Sequence, residues 1–260
     1  MSNEPLLSYD GTASPGQIHG FQAKVGSAQY STTTLRPDTA KATAKIAEFL
    51  MNPGPKHIDA IDRIIQYLYQ TRFWAIEYGL TFDNDGINII AKSVEFESDA
   101  SFGDNPDHRS SEGHVCKLYG GAIDWKASKQ KTVTTSTTEA ELLALAEAGK
   151  TVQWFKQVLN ALGFEPSHPL TIMCDNQQTV DLLTKKSAAM HTKLRHVDIN
   201  RCWMKQEVSA GRADVSWVPT AEMPADGLTK PLPRQKQQTF RDMLRMREIS
   251  HMINPEQRLI

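Results

Sequence analysis

Four short acidic segments in the last two thirds of this 260-residue chain hold the side chains best suited to chemistry. They are Ser98-Asp99-Ala100-Ser101, Ser136-Thr137-Thr138-Glu139-Ala140-Glu141-Leu142, Cys174-Asp175-Asn176 and Pro224-Ala225-Asp226-Gly227-Leu228. Each puts a carboxylate at an expected strand end or in the first turn of an expected helix. Carboxylates gathered from such places suit phosphodiester transfer by two divalent ions roughly 3.5–4 Å apart, one activating the attacking water and the other stabilising the departing oxygen. Taken singly, each acid also has a plainer reading. Asp175 can be a helix N-cap, Asp99 an exposed turn residue, and Asp226 a first-turn acid that favours the helix dipole.

The elements that must position these acids can be read from periodicity. In the segment expected as a long helix, from about Thr138 to Leu162, the residues Glu141, Leu145, Ala148, Val152, Phe155, Leu159 and Leu162 recur at spacings of four and three. That stripe faces a sheet, so Glu141 begins the buried face and looks inward. Glu139 lies about 200° away around the helix at about 100° per residue. Ser136-Thr137-Thr138-Glu139 matches a capping box, with Glu139 reaching back to the backbone N–H of Ser136. Glu141 is therefore the glutamate expected to face a metal. Asp198, in Arg195-His196-Val197-Asp198, reads as helix-surface or salt-bridged.

Around that helix, Val94 to Ser101, His114 to Tyr119 and Ala122 to Lys126 read as three consecutive strands, with a Gly120-Gly121 turn between the last two. Leu170 to Cys174 is a fourth strand. Asn176 to Thr184 and about Thr192 to Ala210 are helices, Asp214 to Val218 is a last strand, and Thr220 to Thr229 opens a further helical turn. The order β-β-β-α-β-α-α-β-α implies an α/β fold, a mixed sheet with helices on both faces.

Upstream, Met1 to Gly20 lacks periodicity and reads as extended or disordered. Arg36-Pro37-Asp38 opens a helix with an apolar stripe of Ala42, Ile46, Phe49 and Leu50, ended by Asn52-Pro53-Gly54-Pro55. A second helix from about Lys56 carries Ile58, Ile61, Ile65 and Leu68. Trp74 to Tyr78 and Ile87 to Ile90 read as short strands. The upstream helices carry no evident catalytic set.

Composition bounds the class. Lys and Arg total 29 against 30 Asp and Glu, a formal charge of −1, so net charge alone does not draw this chain to nucleic acid. Local charge is different: Lys185, Lys186, Lys193 and Arg195 share a stretch without acids, and Lys126, Lys129 and Lys131 crowd another. Lys126, Lys129, Lys185 and Lys186 are the candidates for phosphate contacts, positioning rather than reading sequence. No apolar run approaches the roughly 20 residues of a membrane span, and the polar start is unlike a signal peptide. An intracellular protein is expected, in cytoplasm or nucleus, with no membrane partner. Cys116, Cys174 and Cys202 are odd in number and widely spaced, which argues for reduced, mostly buried thiols.

The ordered motifs then carry a resemblance. Asp99-Ala100-Ser101-Phe102, Ser110 to His114, Ile123-Asp124-Trp125-Lys126, Ser136 to Leu142, Cys174-Asp175-Asn176-Gln177, His196-Val197-Asp198-Ile199 and Val218-Pro219-Thr220 through Ala225 to Pro233 resemble the ribonuclease H domain of copia-type LTR retrotransposon polyproteins. Val25-Gly26-Ser27, Leu35 to Asp38, Asn52 to His57 and Tyr67-Leu68 resemble the thumb or connection segment of the adjoining reverse transcriptase. The resemblance covers roughly residues 20 to 240. It implies a ribonuclease H-like five-stranded mixed sheet preceded by a small helical segment. The implied organisation is an N-terminus (1–20), a thumb- or connection-like segment (21–82), a ribonuclease H-like domain (83–235) and a C-terminal helical tail (236–260).

The resemblance further implies that Asp99, Glu141, Asp175 and Asp226 hold two Mg²⁺ ions, with Mn²⁺ possible, and that the substrate is the RNA strand of an RNA·DNA hybrid. Clustered acids repel one another, and hard oxygen ligands favour Mg²⁺ or Mn²⁺ over zinc. Relatives often carry a histidine about where Cys202 stands and an aromatic near Arg201, so a helix contact differs there. Adjacent aspartates occur nowhere in the chain, so the metal pair of a polymerase site is missing. The chain thus looks like the tail of a longer polyprotein, partnered by the rest of a reverse transcriptase, or a truncated or host-captured copy. Two alternatives stay open: a binding module with impaired catalysis, and another nuclease or strand-transfer enzyme on the same fold.

Overall fold

The computed structural model describes residues 6–79, 94–163, 169–185, 192 and 194–253. Helices α1 (Pro15–Thr34), α2 (Ala40–Ala47) and α3 (Pro55–Gln70) lead to a short strand β1 (Trp74–Ile76). Strands β2 (Val94–Ser101), β3 (Ser111–Leu118) and β4 (Gly121–Lys129) precede the long helix α4 (Thr137–Ala161). Then come β5 (Thr171–Cys174), α5 (Gln177–Thr184), α6 (Arg195–Ser209), β6 (Asp214–Trp217), the one-turn α7 (Asp226–Thr229), α8 (Arg234–Met243) and β7 (Met246–Glu248). The expected strand at Ile87 to Ile90 lies outside the described residues.

These elements form two compact units, one running from Tyr78 to Lys230 and the other made of the chain up to Glu77 together with the chain from Pro231 onward. In the second of these, α1 starts at Pro15, inside the stretch expected to be extended. The reason is local: Ser14 Oγ accepts from the Gln17 backbone N–H, Gln17 Oε1 accepts from the Ser14 N–H, and Pro15 occupies the first helical position. Phe21, Val25, Ala28, Ile46, Ile61 and Ile64 make its core. Of the residues expected as a C-terminal helical tail (236–260), those described, through 253, fall in this unit. Strand β7 pairs antiparallel with β1, Trp74 opposite Glu248 and Ile76 opposite Met246.

A buried ion cluster ties α8 in as well. The Arg36 fork reaches both oxygens of Asp38 at 2.9 Å, Tyr67 Oη donates to Asp38 at 2.6 Å, and Arg241 donates to Tyr67 Oη at 3.2 Å. The Arg241 guanidinium also lies 4.2 Å from the centroid of the Trp74 ring.

The other unit is a five-stranded sheet in the order β4-β3-β2-β5-β6. Strands β2, β3 and β4 form an antiparallel meander, and β5 and β6 run parallel to β2. The meander turns tightly at Tyr119-Gly120, both with positive φ. Phe96, Cys116 and Ile172 pack on one face against Leu142, Leu145, Ala148 and Val152 of α4, and α5 and α6 extend the same core through Val180, Leu183, Val197 and Met204. Leu162 departs from the expected stripe: it is 75% exposed, because α4 ends at Ala161 and Gly163 turns the chain with φ 71°.

The opposite face carries α7. A Cβ on Gly113 of β3 would stand 2.6 Å from Leu228 Cβ, so the missing side chain is what lets α7 lie this close to the sheet. Helices therefore cover both faces, and the order of elements is the one read from the sequence.

Candidate active site

Strand register brings the first two acids together. Ser98 of β2 is the parallel-ladder partner of Cys174 of β5, so Asp99 and Asp175 follow at one end of adjacent strands, about 4.8 Å apart in the pairing direction. Asp175 is free for this role because it is not the helix cap. Asn176 is: its side chain accepts from the Thr179 backbone N–H at 3.1 Å. Thr220 Oγ1 donates to Asp175 Oδ2 at 2.7 Å, and Trp217 Nε1 donates to the Asp175 carbonyl at 3.0 Å, which fixes the backbone at this rim.

Glu141 enters from the second turn of α4. Ligand atoms of Glu141, Cys174 and Asp175 all lie within 4.8 Å of one another. The Cys174 thiol, itself buried, is 4.0 Å from Glu141 Oε2. From the other face of the sheet, α7 delivers Asp226, Thr229 and, just past its end, Lys230. Thr229 Oγ1 donates to Asp99 Oδ2 in a short contact, and Lys230 Nζ contacts Asp226 Oδ1 and lies 3.8 Å from Asp99 Oδ2.

The electrostatics follow from this crowding. Burial, with the charges of Asp99 and Asp175 added, pushes the Glu141 carboxyl up to about 9. Burial also pushes Asp99 up to about 6 against the pull of Lys230 and Thr229, with Asp175 and Asp226 adding to the rise. Burial, then Glu141, raises the Cys174 thiol, so it stays protonated. Burial works against the Lys230 ammonium, but Asp99, Asp226 and Asp175 outweigh it and hold its pKa above the usual lysine value. A set of oxygen donors that cannot all ionise without added positive charge fits hard divalent cations.

Glu139 has a different local job from the one its motif suggested. Ser136 Oγ caps the Glu139 N–H at 3.2 Å, as expected. The Glu139 carboxylate, however, accepts from the N–H and hydroxyl of Thr135, both at 2.7 Å, so the return half of the box falls one residue earlier. Asp198 ion-pairs with Arg201 at 2.7 Å, on the helix surface.

Of the four lysines expected to meet phosphate, three are in ion pairs. Lys126 meets Glu147 at 2.7 Å, Lys129 meets Asp107 at 3.1 Å and Lys185 meets Asp181 at 2.7 Å. Lys186 lies outside the described residues. Lys126 is level with the acids, since it pairs across β3 His114 to Ser98. Lys185 stands at the far end of α5, about 12 Å along the helix from Asp175. Sequence reasoning passed over Gly113, Thr220, Thr229 and Lys230. The Asp226–Lys230 pair had a usable signal, an acid and a base four residues apart.

A mixed sheet of three antiparallel and two parallel strands in this order, with acids at the ends of β2 and β5, on α4 and on α7, defines a ribonuclease H-type domain. No protein-family model matches the chain. The retrovirus-related Pol polyprotein of transposon TNT 1-94 from Nicotiana tabacum is 34% identical over 227 residues, 87% of this chain and 16% of the polyprotein. The corresponding polyprotein of transposon RE1 from Arabidopsis thaliana is 34% identical over 244 residues, 92% of this chain and again 16% of the relative.

The chain belongs with the Pol polyproteins of copia-type transposons and spans about one-sixth of their length. Secreted RxLR effector protein 161 of Plasmopara viticola is 38% identical over 135 residues, 52% of this chain and 89% of its own length. Among solved structures, LC11-RNase H1 in complex with RNA/DNA hybrid superposes with a TM-score of 0.41 at 16% identity, over 52% of this chain and 93% of that one. At that score the fold is carried by strand order, not by the superposition. Among the described residues, no helix is long and apolar enough to cross a membrane.

Proposed function

We propose that this chain is a divalent-metal-dependent ribonuclease H that cleaves the RNA strand of RNA·DNA hybrids, as one segment of a copia-type polyprotein. The observation that supports this reading is the closeness of Glu141 and Asp175, whose ligand atoms lie within 4.8 Å of one another, with Asp99 and Asp226 adding like charge beside them. Asp99, Glu141, Asp175 and Asp226 would hold two Mg²⁺ or Mn²⁺ ions, which when bound would activate water and stabilise the departing 3′ oxygen.

The chain's own side chains prepare that chemistry. Thr229 and Thr220 orient Asp99 and Asp175 by donating to one oxygen of each, leaving the second oxygen of each for a cation. Glu141 gives up its proton when positive charge arrives, because its raised pKa comes from burial and like charge. Lys126, Lys129, Lys185 and Lys186 would steer phosphates, the first three by exchanging their present carboxylate partners for the nucleic acid. Discrimination of RNA would rest on shape and 2′-hydroxyl contacts across the minor groove. The rest of a reverse transcriptase polyprotein is the expected partner.

The test is an assay on labelled RNA·DNA hybrid with Mg²⁺, Mn²⁺ or EDTA, with Asp175→Asn as control. RNA cleavage by the unmutated protein alone, abolished by EDTA, is expected. Cleavage in neither metal would reject the proposal, and preferential cutting of duplex DNA would move the site to another nuclease class.

A further inference from the structure

Lys230 occupies a position that the ribonuclease reading leaves without a role. It follows the last residue of α7, and its backbone N–H still bonds the Asp226 carbonyl at 3.1 Å, so the helical turn aims its side chain back over Asp226. The ammonium contacts Asp226 Oδ1 and lies 3.8 Å from Asp99 Oδ2, and the charge of Asp175 adds to those that hold it protonated. It thus bridges two acids that come from different elements and would otherwise repel across the rim. The side chain is 40% exposed, so the ammonium can leave for water by turning about its own stem, with no rearrangement of the core.

We propose that Lys230 is the resident counter-cation of the acidic cluster, and that divalent ions must displace its ammonium to bind. This rests on the metal-dependent reading above. One flexible monovalent charge offsets part of the cluster's charge in the metal-free protein, and its repulsion of incoming cations sets the ion concentration at which the site fills. A residue that merely steadied Asp226 as a ligand would act with the opposite sign, since losing it would loosen metal.

The experiment is titration of the full chain with Mn²⁺ by calorimetry, beside thermal melts in EDTA. Lys230→Met should bind Mn²⁺ roughly tenfold more tightly than the unmutated protein, because a like charge at contact distance is gone. It should melt earlier in EDTA, where the acids lose their neutralising partner. Lys230→Gln, neutral but able to hydrogen-bond Asp226, should tighten binding too, and Lys230→Arg should leave it near the original value. These two variants decide the matter if Lys230→Met does not fold. Mn²⁺ binding that is unchanged or weaker in the neutral variants overturns the role of Lys230 while leaving the metal site standing. Absence of Mn²⁺ binding in the unmutated protein overturns both.

Discussion

Both units bury charge, and they do it in opposite ways. In the helical unit, Arg36 and Asp38 are 5% and 8% exposed, yet the guanidinium fork, the Tyr67 hydroxyl and the Thr71 side chain satisfy one another. Burial lowers the Arg36 pKa, but Asp38 and Tyr67 more than restore it, so the guanidinium stays charged. In the sheet unit, Asp99 and Glu141 are 1% and 6% exposed and face other acids. Matched buried charge holds a structure together, whereas unmatched buried charge of one sign is tolerated where a ligand is to bring the balance. Glu97, two residues from Asp99, shows that position alone does not decide. It is equally buried and Lys117 sits 2.5 Å away, yet burial outweighs that ammonium and pushes its carboxyl up to about 7, so it falls between the two kinds.

The sharpest way to break this contrast is Glu141→Gln. Cleavage of hybrid should fall by roughly three orders of magnitude or more, as for loss of a group acting as part of a unit. Stability in EDTA should match that of the unmutated protein below about pH 4.5, exceed it by a margin that grows as pH rises to about 9, and keep that margin above, because the unfolded chain ionises Glu141 long before the folded one does. Single-turnover kinetics and thermal melts read the two halves.

The pH dependence extends the same point. Glu141 is raised from 4.5 to about 9 and Asp99 from 3.8 to about 6, so the folded state binds more protons than the unfolded one between those values. The contribution of these two acids to the stability of the metal-free protein should therefore be greatest at the acid end and decline as pH rises to about 6 and then about 9. Saturating Mg²⁺ should remove much of that decline in melts run from about pH 5 to pH 9. A slope that Mg²⁺ does not alter would detach the two acids from any metal.

On the matched side, Asp38→Ala leaves Arg36 buried without its carboxylate and should cost about 3–5 kcal/mol in urea denaturation, with or without Mg²⁺. Gly113→Ala should cost about 1–3 kcal/mol by overpacking against Leu228, and should also depress cleavage by lifting Asp226 from the rim. Smallest of all, Lys24→Ala removes an exposed pair with Asp62 and should cost no more than about 1 kcal/mol.

Much of the sheet unit was legible because its signals are local. The four-and-three stripe from Glu141 to Leu159 sets which glutamate turns inward, and the run Cys174-Asp175-Asn176 ends a strand where a helix must start. What escaped depends on distant partners. That Asn176 caps, leaving Asp175 out of the helix start, is a choice between neighbours that only the backbone geometry makes. Lys230 matters because α7 folds back onto β3 at Gly113, a contact between residues more than a hundred positions apart. The pairing of Trp74 with Glu248 escaped because β7 has only three residues, too few for alternation to register, and its partner lies at the other end of the chain. The start of α1 is a different case: Ser14-Pro15-Gly16-Gln17 carried its capping signal, but Gly16, Gly20 and Gly26 weaken the helical pattern behind it.

The return of β7 to β1 has a consequence for the order in which the protein is made. On the ribosome, everything needed for the five-stranded sheet and its acids has emerged by Lys230, whereas Tyr67 and Ile76 must wait for Arg241 and Met246. A nascent chain would thus complete its later-starting unit first. A premature stop shortly after codon 230 would spare the acidic rim and leave the earliest-made helices unfinished.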